Sequence, residues 1–173
     1  MKKIGLLSDT HSWLDENIFR HFESCDELWH AGDLGNSAIA EKLSAFKPLR
    51  AVYGNIDGPD IRSIFPETLR WECEGVRVYM THIAGTPPKY NSQVKKELTR
   101  DPPKLFICGH SHILRIQFDQ VNKILFMNPG AAGNQGWHKM RTIVRFNISD
   151  QNIQDCEVIE LGKRGSLLQA ESI

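Results

Sequence analysis

The 173-residue chain lacks any apolar run approaching the roughly 18 residues of a membrane span, which excludes a bundle of membrane helices. It lacks a charge excess, since 21 Lys plus Arg balance 21 Asp plus Glu. A broad electrostatic grip on a nucleic-acid polymer is therefore not expected. Its four cysteines (Cys25, Cys73, Cys108, Cys156) include no Cys-x-x-Cys pair and read as reduced, mostly buried thiols. The opening Met1-Lys2-Lys3 resembles the start of a signal peptide, but the apolar run after it is too short and Asp9 closes it. A cytoplasmic setting is expected. No internal repeat or linker is visible. The length suits one domain over 1–161 with a substantial core, followed by a polar tail over 162–173.

What is present is a repeated local pattern. Residues 2–8 read as a buried strand ending in Asp9-Thr10-His11. Leu14, Ile18, Phe19 and Phe22 then recur at helical spacing, with Ser12 as the expected N-cap. A second strand over 27–30 runs into Gly32-Asp33. Asn36 or Ser37 caps the next helix, which buries Ile39, Leu43 and Phe46 and stops at Pro48. A third strand over 49–53 ends at Gly54-Asn55-Ile56-Asp57. This β-α-β-α-β order implies a parallel sheet with its ligand site outside the carboxyl ends of the strands.

Beyond residue 67 the pattern turns β-rich. A hairpin is expected over 68–73 and 76–81, ending at His82. A helix over 93–100 follows, then a strand over 105–108 that runs into Gly109-His110-Ser111-His112. Further strands are expected over 113–118, 124–127, 142–148 and 153–161. The whole reads as α/β, a four-layer α/β/β/α sandwich of two mixed β-sheets flanked by helices.

Seven polar residues thus stand at strand ends: Asp9, His11, Asp33, Asn55, His82, His110 and His112. Each alone has a bland explanation as a turn residue, a cap or an exposed imidazole. Together they make a mixed nitrogen and oxygen donor set without thiolate, larger than one metal ion needs. Asp9-Thr10-His11, Gly32-Asp33, Gly54-Asn55-Ile56-Asp57, Thr81-His82 and Gly109-His110-Ser111-His112 resemble the five-motif signature of the calcineurin-like metallophosphoesterases. The short length and Asn128-Pro129-Gly130 resemble the small bacterial and archaeal phosphodiesterases of that superfamily.

The resemblance implies a hydrolase using two divalent ions, with manganese the first expectation and Ni, Fe, Co or Zn compatible. Asp9, His11 and His112 would bind one ion, Asn55, His82 and His110 the other, and Asp33 would bridge them. It implies in-line attack on phosphorus by a metal-bridging hydroxide, with Asn55, His82 and Asp33 as the catalytic set. The expected partner is a small phosphoester, and a homo-oligomer is left open.

Two departures stand out. Ile56 follows Gly54-Asn55 where many relatives carry a histidine, which favours leaving groups needing little proton assistance. Ile83 follows His82 in place of the usual glycine. Asp57 is read as a turn residue, and His30 as either an orienting partner or a satisfied strand-end histidine. His21 is read as a surface residue. His138 and Arg141, in a polar loop from Gly133, are expected to overhang the site and touch substrate. The alternative reading is a non-catalytic interaction scaffold of the same fold, which would be marked by lost ligands. A TIM-barrel amidohydrolase is excluded, since that fold needs about 250 residues and strict alternation.

Overall fold

The structure, a computed structural model, describes residues 1–165. Strands and helices alternate first: β1 (Lys2–Leu7), α1 (Asn17–His21), β2 (Glu27–His30), α2 (Ser37–Phe46), β3 (Leu49–Ala51) and α3 (Pro59–Ile64). Then come β4 (Thr68–Cys73), β5 (Val76–Thr81), a small hairpin of β6 (Gly85–Thr86) and β7 (Lys89–Tyr90), and α4 (Ser92–Arg100). The chain continues with β8 (Leu105–Ile107), β9 (Leu114–Asp119), β10 (Ile124–Pro129), β11 (Met140–Ser149) and β12 (Asn152–Lys163).

One sheet has the order β12-β11-β1-β2-β3, and the other β4-β5-β8-β10-β9. In the first, β1, β2 and β3 run parallel while β11 and β12 return antiparallel. In the second, β5, β8 and β10 run parallel between the antiparallel edges β4 and β9. Both sheets are mixed.

The two-residue period of a strand sets the layers. Ile4 and Leu6 of β1 enter the core between the sheets with Val78, Met80, Ile107 and Met127. Leu7 packs on the other side with Ile18, Phe22, Ile39, Leu43 and Ile61 from the helical layer. On the far face of the second sheet, Tyr79, Phe106 and Phe126 pack against Val94 and Leu98 of α4. Each large side chain removed from water contributes about 1.5–3 kcal/mol. The result is the expected α/β/β/α sandwich. Asn36 caps α2 by accepting from Ile39 N at 3.3 Å, and Asn91 caps α4 by accepting from Val94 N at 2.8 Å.

Four local expectations are corrected. Ser12 does not cap α1. It stands at φ 63°, and the helix begins only after Glu16, because Asp15 spends its Oδ1 on the Asn17 amide and its Oδ2 on Arg141. The third strand ends at Ala51. α3 and the β6-β7 hairpin were not anticipated, although Pro59 at the first helical turn with Asp60 beside it is a recognisable start signal. β12 runs to Lys163, past the expected boundary at 161, and residues 166–173 of the polar tail lie outside the described residues. No helix among the described residues is long and apolar enough to cross a membrane.

Candidate metal centre

The carboxyl ends of β1, β2, β3, β5 and β8 share one edge of the sandwich, and the loops leaving them are stitched together by backbone hydrogen bonds. Asp9 N donates to Gly32 O at 3.0 Å, His11 N to Asp33 O at 3.0 Å, and Gly109 N to His82 O at 3.0 Å. Five of the seven predicted ligands hold the left-handed backbone that side chains rarely adopt: Asp9 (φ 55°), His11 (47°), Asp33 (58°), His110 (69°) and His112 (57°). Such conformations cost of order 1–3 kcal/mol each and persist where surrounding contacts over-determine them.

Two triads result. Asp9, His11 and His112 form one, and Asp33, His82 and His110 the other, with the ligand atoms of each within 4.8 Å of one another. Asp9 Oδ1 lies 3.2 Å from His112 Nε2 and 3.8 Å from His11 Nε2. Asp33 Oδ2 lies 3.1 Å from His82 Nε2 and 3.6 Å from His11 Nε2, so this carboxylate faces both triads. The rear oxygens are tied down: Asp9 Oδ2 accepts from His110 N at 3.2 Å, and Asp33 Oδ1 from Ile56 N at 3.1 Å. The forward oxygens are left to face imidazole nitrogens. Asn55 stands on the exposed rim, lining a cleft of about 220 Å³ with Tyr53, Arg62, Glu67, Thr81, His82 and Ile83.

The hydrogen bonds behind the rings determine which nitrogen is presented. His82 Nδ1 donates to Ala31 O at 2.7 Å, which turns the Nε2 lone pair toward Asp33. Behind His112, His138 Nε2 donates to Gly133 O at 3.0 Å, so His138 Nδ1 accepts from His112 Nδ1 at 3.2 Å. His112 Nε2 therefore also points a lone pair at Asp9. Among the described residues buried Asp9 Oδ1 and His82 Nε2 have no hydrogen-bond partner, although they lie 3.9 Å apart. Lone pairs aimed at one another in a buried site repel unless a cation lies between them.

Burial opposes charge on His82, but the Asp33 carboxylate 3.1 Å from Nε2 and the charge of Asp9 outweigh it and raise its pKa. His11 shifts the other way, since burial exceeds the pull of Asp33 and Asp9. Burial works against the Asp33 anion too, yet His82, the Ile56 amide and His11 hold it below the ordinary carboxylate range. This donor set of carboxylates and imidazoles, with orphaned buried atoms facing inward, fits divalent metal ions.

The structure corrects both predicted substrate contacts. Arg141 does not overhang the site. It is fully buried in β11, where Nη1 pairs with Asp15 Oδ2 at 2.7 Å and Nη2 donates to Leu161 O at 2.8 Å. Strand alternation turns it inward, and only a carboxylate from a distant segment makes that burial tolerable. His138 stands behind His112, its two ring nitrogens engaged by His112 and Gly133 rather than directed at the cleft.

The remaining residues are clear. His30 Nε2 donates to Thr10 Oγ1 at 3.0 Å, and its Nδ1 accepts from Gly32 N at 3.2 Å. Burial pushes its pKa down to about 4, so it is a neutral brace between the first two ligand loops. Asp57 accepts from the amides of Leu34, Gly35 and Gly54, as a turn residue does. Asn128 holds the Gly109 loop by donating to Gly109 O at 2.8 Å and Ser111 Oγ at 3.1 Å. Sequence reasoning missed Arg62, whose guanidinium lies on the cleft beside Asn55. An arginine within an unanticipated helix carried no signal that would have found it.

Comparison with known proteins agrees with this geometry. The model of the calcineurin-like phosphoesterase superfamily domain matches residues 1–151. The "Probable metallophosphoesterase" of Methanothermobacter thermautotrophicus is 32% identical over 139 residues, covering 74% of this chain and 76% of that protein. Among solved structures, a novel archaeal phosphodiesterase superimposes with TM-score 0.72 at 20% identity, over 92% of this chain and 99% of that one. Vps29 from Entamoeba histolytica complexed with zinc gives TM-score 0.70 at 15% identity, over 91% and 98%. At these identities the two structures establish a shared fold.

Proposed function

The chain belongs to the calcineurin-like phosphoesterase superfamily, and we propose that it is a metal-dependent phosphodiesterase acting on a small phosphoester. The observation that carries this reading is the inward-facing, unpartnered pair of Asp9 Oδ1 and His82 Nε2 between two complete donor triads. Asp9, His11 and His112 would hold one divalent ion, and His82, His110 and Asn55 the other. Asp33, whose Oδ2 faces histidines of both triads, would be shared between them. Manganese suits such a nitrogen and oxygen set, as do Ni, Fe, Co and Zn. Two such ions supply Lewis-acid activation of the phosphoryl group and acidification of the attacking water.

The chain's own residues do the rest. Ala31 O holds His82, and the His138–Gly133 pair holds His112, so the donors are oriented before substrate arrives. Asn55, on the rim, would hold a non-bridging phosphoryl oxygen. With Ile56 beside it, no imidazole follows Asn55 to protonate the departing oxygen. Leaving groups that depart as stable anions should therefore turn over fastest, and diesters faster than alkyl monoesters. A cleft of about 220 Å³ supports a small substrate over a nucleic-acid polymer. The buried thiols of Cys25, Cys73 and Cys108 support a reducing, cytoplasmic setting.

The Vps29 of Entamoeba histolytica, which shares this fold, is complexed with zinc. A pure scaffold role for this chain is disfavoured because each of the seven positions retains a competent donor. The test is hydrolysis of an aryl phosphodiester by chelator-stripped protein reloaded separately with Mn, Ni, Zn, Co and Mg. Restored turnover is expected with transition metals, and its loss in Asp33→Ala with an unchanged circular dichroism spectrum. Inactivity with every metal despite two bound ions per chain would move the assignment to a scaffold. Full activity of Asp33→Ala would refute the site.

A further inference from the structure

Resting on that reading, we propose that Arg62 grips a second anionic oxygen group of the substrate, a carboxylate or phosphate carried next to the reacting phosphoester. The cleft beside the His82 triad has one permanently cationic side chain among its lining residues, Arg62, next to Asn55 and His82. Its guanidinium is held on two sides. Nε donates to Asp57 O at 2.7 Å, Nη2 donates to Asn55 O at 3.4 Å, and the group lies over the Tyr53 ring, 4.6 Å from its centroid. The Asp57 anchor is itself tied by three amides, including Gly54 N of the Asn55 turn and Leu34 N beside Asp33. Arg62 is therefore positioned relative to the proposed ligands rather than swinging freely.

Its remaining edge is uncommitted. Among the described residues the guanidinium donates only through Nε and Nη2, to Asp57 O and Asn55 O, and Arg62 forms no ion pair. Glu67 lines the same cleft but takes a hydrogen bond from Tyr53 Oη at 3.3 Å. A guanidinium pre-set on an aromatic face, with one free edge, is suited to planar or tetrahedral oxyanions through charge-assisted hydrogen bonds. This makes Arg62 a specificity-determining residue, selecting esters with two anionic groups.

The test measures binding, so it decides the matter whether or not the protein turns over any ester. Manganese-loaded protein is titrated calorimetrically with ethyl phosphate, with 2-phosphoglycolate, and with 1,2-ethanediol bisphosphate. The wild type is expected to bind at least one of the two doubly anionic ligands about tenfold or more tighter than ethyl phosphate. Whichever gains more identifies the second group as carboxylate or phosphate. Arg62→Gln should abolish the gain while shifting ethyl phosphate by less than about threefold, and Arg62→Lys should restore part of it. Equal affinity for all three ligands, or no binding of any, overturns the proposal. So does a parallel loss for all three in Arg62→Gln, which would mean that the side chain only braces the Asp57 turn. An aryl diesterase lacking the affinity gap would refute this inference alone, and an inactive protein showing the gap would refute only the catalytic reading.

Discussion

The pair His112 and His138 illustrates how much a single side chain depends on the one behind it. His138 accepts from His112 and donates to Gly133 O, fixing which nitrogen His112 presents. Removing it leaves the ring of His112 free to rotate. His138→Ala should weaken metal binding roughly 10–100-fold, read from competition with a chromophoric chelator. Gly54 works by having no side chain: a methyl group there would overlap Asp33 Oδ1 and the Asp33 amide. Gly54→Ala should push the shared carboxylate aside and lower aryl diester turnover by about 100-fold or more. Its bound metal, measured by elemental analysis, should fall below two ions per chain. Unchanged turnover would mean that Asp33 is not held where the structure places it.

Among the elements, β11 joins the two ends of the chain through Arg141. Its pair with Asp15 crosses from the last long hairpin to the turn before α1, at 2.7 Å and with the arginine wholly buried. Burial pushes the Asp15 carboxyl up, but the hydrogen bond and charge of Arg141 and the Asn17 contacts outweigh it and hold it below the ordinary value. A carboxyl lowered in this way stabilises the fold above its unfolded value. That contribution is lost as pH falls through the lower folded value. Arg141→Met strands a buried carboxylate and should cost about 3–5 kcal/mol at neutral pH. The gap should narrow in acid, where Asp15 takes up a proton, and Asp15→Asn in the same chain should recover part of it. Urea unfolding at pH 7 and pH 3 tests both. A gap of the same size at both pH values would contradict the pairing.

For the whole molecule, the proposed metal centre is also a clasp. Its donors come from the ends of strands in both sheets, so ions bound there favour the folded chain over the unfolded one. At a metal concentration 100 times the dissociation constant this adds about 2.7 kcal/mol. Chelation should lower the melting temperature by roughly 5–10 °C, and manganese should restore it, as scanning calorimetry will show. A melting temperature indifferent to chelator would count against both triads as metal sites.

The local order of the chain determined a large part of this. The early strands each run into a polar turn, and alternation of strand and helix requires the first strands to lie parallel. Asp9, His11, Asp33 and Asn55 must then emerge at one edge, since parallel strands present the same end. The His82 and His110 loops could be read similarly, because β5 and β8 end in such turns. What only the tertiary structure decided was the direction and company of individual side chains. Arg141 reads as a polar loop residue until a carboxylate 126 positions away in sequence, Asp15, makes its burial possible. His138 and Arg62 likewise acquire their surroundings from packing: one behind a ligand from β8, the other against the ring of Tyr53. Periodicity specifies which face a residue occupies, but the partner it meets there comes from a distant part of the chain, and short-range pattern carries no record of it.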